Sequence, residues 1–259
     1  MKIMIIRHGD PDYEHDTLTE TGWEEARVLA RKLASEKLDY IYVSPLGRAR
    51  DTASCTLEAI GRKEDAVFDW LREFPPVVKI GDDKKLLESY PDACQHEDGG
   101  WYQHVVWDNL PSYWTEYPCY FDRNDWRQGT IAANSNMPEQ YDNVIKNFDA
   151  LLAKHGYERF HNHYRAARPN TDTLVFFCHF GLECILLSRL LNVSPFILLH
   201  GTAFAPTSVT VLNTEERQEG IAYFRASRLG DISHLYAAGM EPSFSARFCE
   251  VYTDWTKRH

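Results

Sequence analysis

Short apolar runs alternate with amphipathic stretches along most of this chain. The run Ile3-Met4-Ile5-Ile6 has no polar break and predicts a strand buried on both faces. Trp23, Ala26, Leu29, Ala30 and Leu33 recur at helical spacing and predict a helix over about 19–36, with Thr21 and Glu24 spaced as a capping box. Residues 39–43 predict a second strand and 47–60 a helix stopped near Gly61. A third extended segment is expected at 68–71, and a strongly apolar strand at 173–178. A buried helix follows over 181–191, ended by Asn192. Strands at 208–212 and 221–225 are joined by a turn at 213–220, and a last helix is expected over about 243–255. Strands alternating with helices predict an α/β fold, a mostly parallel sheet with helices on both faces.

The middle of the chain breaks the pattern. Over about 77–136 the periodicity fades, and Trp101, Tyr102, Trp107, Tyr113, Trp114, Tyr117, Tyr120, Phe121 and Trp126 crowd together. Pro138 then opens a helix with Tyr141, Val144, Ile145, Phe148, Leu151 and Leu152 on one face and Gly156 as its stop. Segment 77–136 therefore reads as an insertion covering the strand-end face of a single domain over 1–259. Its aromatics read first as a small core or a subunit interface, and the second option favours a homodimer. Any that line a ligand site suit a phosphate on an apolar or ring-bearing group. Arg123 is the lone basic residue between Trp101 and Trp126, which argues against substrates with several phosphates.

Composition narrows the function classes. The chain has 259 residues, 44% hydrophobic and 25% charged, as ordinary globular proteins do. No run approaches the roughly 20 apolar residues of a membrane span. The chain enters a strand at once, so no signal peptide is expected. The net charge of −10 makes nucleic acid a poor partner, and phosphate chemistry would need a local basic pocket. Six scattered cysteines without a C-x-x-C pair read as reduced thiols in a cytoplasmic protein, with Cys178 and Cys184 in the core. His161-x-His163 is the one close histidine pair and has no cysteine or carboxylate cluster beside it, so neither a metal site nor a cofactor is expected. His161, His163, Arg165 and Arg168 read as a basic loop patch, solvated or touching a second anionic group of a substrate.

Candidate chemistry gathers at the ends of the expected strands: Arg7-His8-Gly9, Arg48 after Ser44-Pro45-Leu46, Glu73, and His179. Ligands of open parallel sheets bind at those ends. Two arginines can fork onto the oxygens of a phosphomonoester and offset the charge that repels a nucleophile. A neutral imidazole can attack phosphorus. A carboxyl can pass a proton to the leaving alcohol and take one back from water. A second histidine can donate to the phosphoryl oxygens as charge builds.

These motifs resemble the histidine phosphatase superfamily, the phosphoglycerate mutase-like family. Ile5-Ile6-Arg7-His8-Gly9 is similar to its nucleophile motif, and Leu18-Thr19-Glu20-Thr21-Gly22 with Glu25-Ala26 to its next helix. Ser44-Pro45-Leu46-Gly47-Arg48-Ala49 with Thr52-Ala53 is similar to its second-arginine motif, and Cys178-His179-Phe180-Gly181 to its second-histidine motif. With Pro206-Thr207-Ser208 the resemblance spans roughly 1–75 and 138–230. It implies His8 as the phosphorylated nucleophile and Arg7, Arg48 and His179 as the phosphate pocket. It further implies Glu73 as proton donor, with Gly9 and Gly181 letting backbone approach the phosphoryl oxygens. The implied activity is metal-independent hydrolysis of a small phosphate ester.

Three departures qualify it. Phe74-Pro75-Pro76 follows Glu73 where the family usually has a glycine, a tryptophan and another Glu-Gly, so Glu88 is the alternative donor. Phe180 replaces the aspartate that the acid phosphatase branch carries beside its second histidine. Asp10-Pro11-Asp12-Tyr13-Glu14 replaces the serine, tryptophan and asparagine of the mutases, which favours hydrolysis over mutase-type transfer. The remaining alternative is a non-catalytic binding module on the same fold.

Overall fold

In the computed structural model of the chain, residues 1–81, 83–91, 93–95, 97–99, 104–243 and 253 are described. Trp101, Tyr102, Cys249 and nearly all of the helix expected over 243–255 lie outside them.

Strand β1 (Lys2–Arg7) leads into α1 (Glu20–Leu33), then β2 (Tyr40–Val43), α2 (Gly47–Ile60) and β3 (Ala66–Val67). After the aromatic segment come α3 (Met137–Lys154), the hairpin β4 (Tyr157–Phe160) and β5 (His163–Ala166), and β6 (Thr173–Cys178). The chain closes with α4 (Phe180–Leu191), α5 (Pro195–Gly201), the hairpin β7 (Val209–Gln218) and β8 (Ile221–Asp231), and α6 (Ser233–Ala237). The strands form one sheet in the order β3-β2-β6-β1-β7-β8-β5-β4. The joins from β3 to β1 are parallel and those from β1 to β4 antiparallel. Only β7 and β5 oppose the common strand direction, so the sheet is mixed and mostly parallel.

The unbroken apolar runs have a simple cause: both faces of the central strands are covered. Met4, Ile6, Val175 and Phe177 pack under α1 and α2, with Leu29, Leu33 and Ala53. Ile3, Ile5, Leu174 and Phe176 pack under α3 and α4, with Phe148, Leu152, Leu182 and Ile185. Trp114, Tyr120 and Trp126 of the aromatic segment join this second core and are almost wholly buried. Tyr120 packs at a tilt against Phe196 of α5 with centroids 4.4 Å apart. The described residues of segment 77–136 form short helical turns and a two-residue ladder between Val77–Val78 and His104–Val105. Among the described residues no helix is long and apolar enough to cross a membrane.

Several local expectations change. Thr19, not Thr21, caps α1, its hydroxyl accepting the Gly22 N–H at 3.0 Å. The extended segment lies at Ala66–Val67, and Asp69–Leu71 is a 3₁₀ turn. The last hairpin is far longer than expected, with Glu219 and Gly220 as its turn. Its outer residues are exposed and mostly polar, so no alternation marks them as strand. His161 and Arg168 are exposed in a turn and a bend, but His163 and Arg165 are not in a loop. The first lies at the β4–β5 turn, and His163 and Arg165 are part of β5. That hairpin is the far edge of the sheet, three strands beyond β1, which removes it from the strand ends where His8 lies. The helix α5 had no signal distinct from its Ser194-Pro195 start, where Ser194 accepts the Phe196 N–H.

Candidate active site

Register brings the two histidines together. Arg7 is level with Cys178 in the parallel ladder of β1 and β6, so His8 and His179 are the next residue of each strand. The His8 N–H donates to the Cys178 carbonyl at 3.0 Å. Their ring centroids are 5.1 Å apart and both side chains are buried. On the other side of β6, Val43 is level with Phe177, which places Ser44 beside His179. Arg48 follows in the first turn of α2, and Glu73 follows the 3₁₀ turn after β3. Four neighbouring strands thus deliver the predicted groups to one end of the sheet.

Hydrogen bonds orient the imidazoles. His8 Nδ1 lies 2.7 Å from the Gly9 carbonyl, an acceptor, so the proton is assigned to Nδ1 and the lone pair to Nε2. His179 Nε2 lies 2.7 Å from Ser44 Oγ, which accepts the Leu46 N–H. The Ser44 hydroxyl proton is then free to point at Nε2, leaving the His179 proton on Nδ1. That Nδ1 is buried without a protein partner, as are Arg7 Nε and Arg48 Nε. Burial, helped by Arg7 and Arg48, pulls the His8 imidazole down to about 3. Burial, the His8 ring and the arginines push His179 well below its ordinary value. Both are neutral at pH 7.

Each arginine has one protein anchor. Arg7 donates to the Phe204 carbonyl, and its guanidinium sits 5.9 Å from the Phe180 ring centre. Arg48 is tied to Asp16 at 2.6 Å, and Asp16 also accepts the Gly47 N–H at 2.7 Å. Asp16 was missed from sequence, being one of several acids in a polar loop; only its left-handed backbone (φ 49°) sets it apart. The exposed Tyr13 ring lies 5.3 Å from Arg48.

Glu73 sits at the start of α4. Its Oε1 accepts N–H bonds from Phe74 at 2.8 Å, Gly181 at 3.0 Å and Leu182 at 3.3 Å. Burial raises the carboxyl above its usual range, against the pull of the Phe74 N–H and Arg7. Glu88, by contrast, is exposed at the end of the short helix Lys84–Glu88. Both glycine amides have protein acceptors, that of Gly181 being Glu73. The Gly9 N–H donates to Thr52 Oγ1 at 2.9 Å, and a Cβ there would meet the Gly22 carbonyl at 2.7 Å. A Cβ on Gly181 would lie 2.9 Å from Glu73 Oε1 and 3.0 Å from the Trp107 ring.

Two further carboxyls are buried nearby. Burial raises Glu183 on α4 to about 8 and Glu25 on α1 to about 7. The signs set a stability profile. A carboxyl whose folded value lies above its unfolded value costs stability once pH exceeds the unfolded value, so Glu183 costs about 4 kcal/mol at pH 8 and almost nothing below pH 4.5. A histidine whose folded value is depressed costs stability as pH falls below its unfolded value, about 2 kcal/mol for His8 at pH 5. His200 and His234, lowered to about 4 by burial, act in the same sense. Urea denaturation is expected to give maximum stability near about pH 6, where the two slopes cancel. Glu183→Gln should flatten the alkaline side; an unchanged slope there would contradict the assignment.

Comparison with known proteins follows the same residues. The family description "Histidine phosphatase superfamily (branch 1)" matches residues 3–106. A probable phosphoglycerate mutase, GpmB, of Photorhabdus laumondii is 31% identical over 70 residues, 24% of this chain and 33% of that protein. A probable phosphatase of Schizosaccharomyces pombe is 30% identical over 131 residues, 45% of this chain and 60% of that protein. The matched part of the chain thus spans a third and three-fifths of these relatives. The fold matches an Entamoeba histolytica phosphoserine phosphatase mutant crystallised with phosphoserine, with TM-score 0.56 and 17% identity over 90% of this chain and 98% of that one. It also matches a mycobacterial glucosyl-3-phosphoglycerate phosphatase complexed with VO3, with TM-score 0.54 and 19% identity over 88% and 98%. The nucleophile motif lies inside the matched region and the second-histidine motif at the adjoining strand end, so over residues 3–106 the chain is similar to the histidine phosphatase superfamily, branch 1.

Proposed function

We propose that this chain hydrolyses phosphomonoesters without a metal ion, through a phosphohistidine on His8. One observation carries the reading. Two neutral, buried imidazoles lie side by side, and three buried N–H groups around them, Arg7 Nε, Arg48 Nε and His179 Nδ1, have no protein partner. A bound phosphoryl group supplies acceptors for all three.

In the first step His8 Nε2 attacks phosphorus and the P–O ester bond breaks. Protonated Glu73 gives its proton to the departing alkoxide. Arg7, Arg48 and His179 hold the oxygens on which charge builds. In the second step the Glu73 carboxylate takes a proton from water as the water oxygen attacks phosphorus. The P–N bond breaks and His8 returns to its neutral form. The Gly9 carbonyl holds Nδ1–H throughout and steadies the charge of the phosphorylated ring.

The substrate class follows from the walls. Trp107, Phe180 and Phe204 form a chain of rings 6.2 Å and 6.1 Å apart beside Arg7 and Gly181. These surfaces suit a single phosphate on an apolar or ring-bearing group. A screen of metabolite phosphates with free-phosphate detection tests the proposal. Vanadate is expected to inhibit turnover and chelators to leave it unchanged. Chelator inhibition reversed by a divalent cation would defeat the metal-free mechanism. Isomer exchange of 3-phosphoglycerate without phosphate release would make the chain a mutase instead. Tight binding to a protein partner, without hydrolysis of any ester, would make it a binding module.

A further inference from the structure

We infer that the chain carries a second site for a phosphoryl-type dianion, at the far end of α4 from His179. A cavity of about 110 Å³ lies there, lined by Arg123, Arg127, Arg159 and Arg189. Its other lining residues include Asn192 and Tyr141, and no Asp or Glu lines it among the described residues. The charge balance is uneven. Arg127 is paired with Asp142 at 2.6 Å and Arg189 with Asp149. Neither Arg123 nor Arg159 forms an ion pair within 4 Å among the described residues, though the exposed Asp122 carboxylate lies close enough to feel the Arg123 charge. Arg159 bonds the Arg189 carbonyl and Asn192 Oδ1, and its guanidinium lies 4.9 Å from the Tyr164 ring centre, contacts that carry no opposite full charge.

A chain with net charge −10 has brought four guanidinium groups around one small polar cavity. Their mutual repulsion is relieved by an anion, and their forked donors match phosphoryl oxygens. A tetrahedral dianion there would tie three parts of the fold together: the aromatic segment through Arg123 and Arg127, β4 through Arg159, and α4 through Arg189. Arg189 lies ten residues along from His179, roughly 15 Å at the helical rise, so this site is separate from the candidate active site.

The test uses inorganic phosphate and methylphosphonate as probes in calorimetric titrations of the whole chain. Wild type is expected to bind one more phosphate than Arg123→Glu. Arg123→Gln should weaken that extra site roughly tenfold or more. Melting temperature in phosphate-free buffer and turnover of p-nitrophenyl phosphate should stay at wild-type values in both variants. Tighter binding of methylphosphonate than of phosphate at this site would identify a phosphorylated metabolite as its occupant, and the reverse would identify the free ion. Equal phosphate stoichiometry in wild type and Arg123→Glu overturns the inference, whatever the fate of the phosphohistidine proposal.

Discussion

His8→Ala is expected to lower turnover of p-nitrophenyl phosphate by roughly four to six orders of magnitude, the scale of losing a nucleophile that works in concert with its surroundings. The reason lies in which nitrogen is free. His8 Nδ1 is committed to the Gly9 carbonyl, and burial beside two arginines keeps Nε2 unprotonated far below neutral pH. His179 cannot substitute, because Ser44 holds its Nε2 and its proton is assigned to Nδ1. Quenching with a ³²P-labelled substrate gives a second readout. Wild type should retain acid-labile label on the protein, and His8→Ala should retain none. Arg7 and Arg48 remain in the variant, so it should still bind vanadate. Label on His8→Ala, or turnover comparable to wild type, would end the phosphohistidine reading.

Much of this arrangement is legible in the sequence because parallel-sheet physics is local. Apolar runs at 3–6 and 173–178 announce strands buried on both faces, and the residues that end such strands face the ligand side. Two such runs ending in Arg7-His8 and His179 therefore imply a shared site before any contact is known. What was not legible depends on long-range contacts. Nothing in the spacing says that Asp16 would hold Arg48, or that the Gly9 and Gly181 amides would donate to Thr52 and Glu73. Those partners meet only after the strands pair. Spacing likewise did not single out Glu25 and Glu183 as buried acids, which only the packed structure makes them. Both strands of the β7–β8 hairpin were legible, but its full length was not, because its exposed outer half buries too little to leave a pattern.

Glu73→Gln separates the two chemical steps, and the size of its effect should depend on the leaving group. An alkyl phosphate releases a strongly basic alkoxide, so loss of the proton donor should slow its cleavage by about 10²- to 10⁴-fold. Nitrophenolate departs without help, so phosphorylation of His8 by p-nitrophenyl phosphate should stay fast. The second step still needs a base for water, so later turnovers should slow and the phosphoenzyme should accumulate. Rapid-mixing experiments would show this as a burst of nitrophenol followed by a slow steady rate. The substitution suits the site: the glutamine carbonyl can occupy the Oε1 position and keep the N–H bonds from Phe74, Gly181 and Leu182. Loss of those bonds would instead misplace the first turn of α4 and slow both esters alike. Equal loss on the two esters therefore assigns Glu73 a structural role. The same leaving-group dependence in Glu88→Gln, but not in Glu73→Gln, would transfer the proton to Glu88, against its exposed position in the fold.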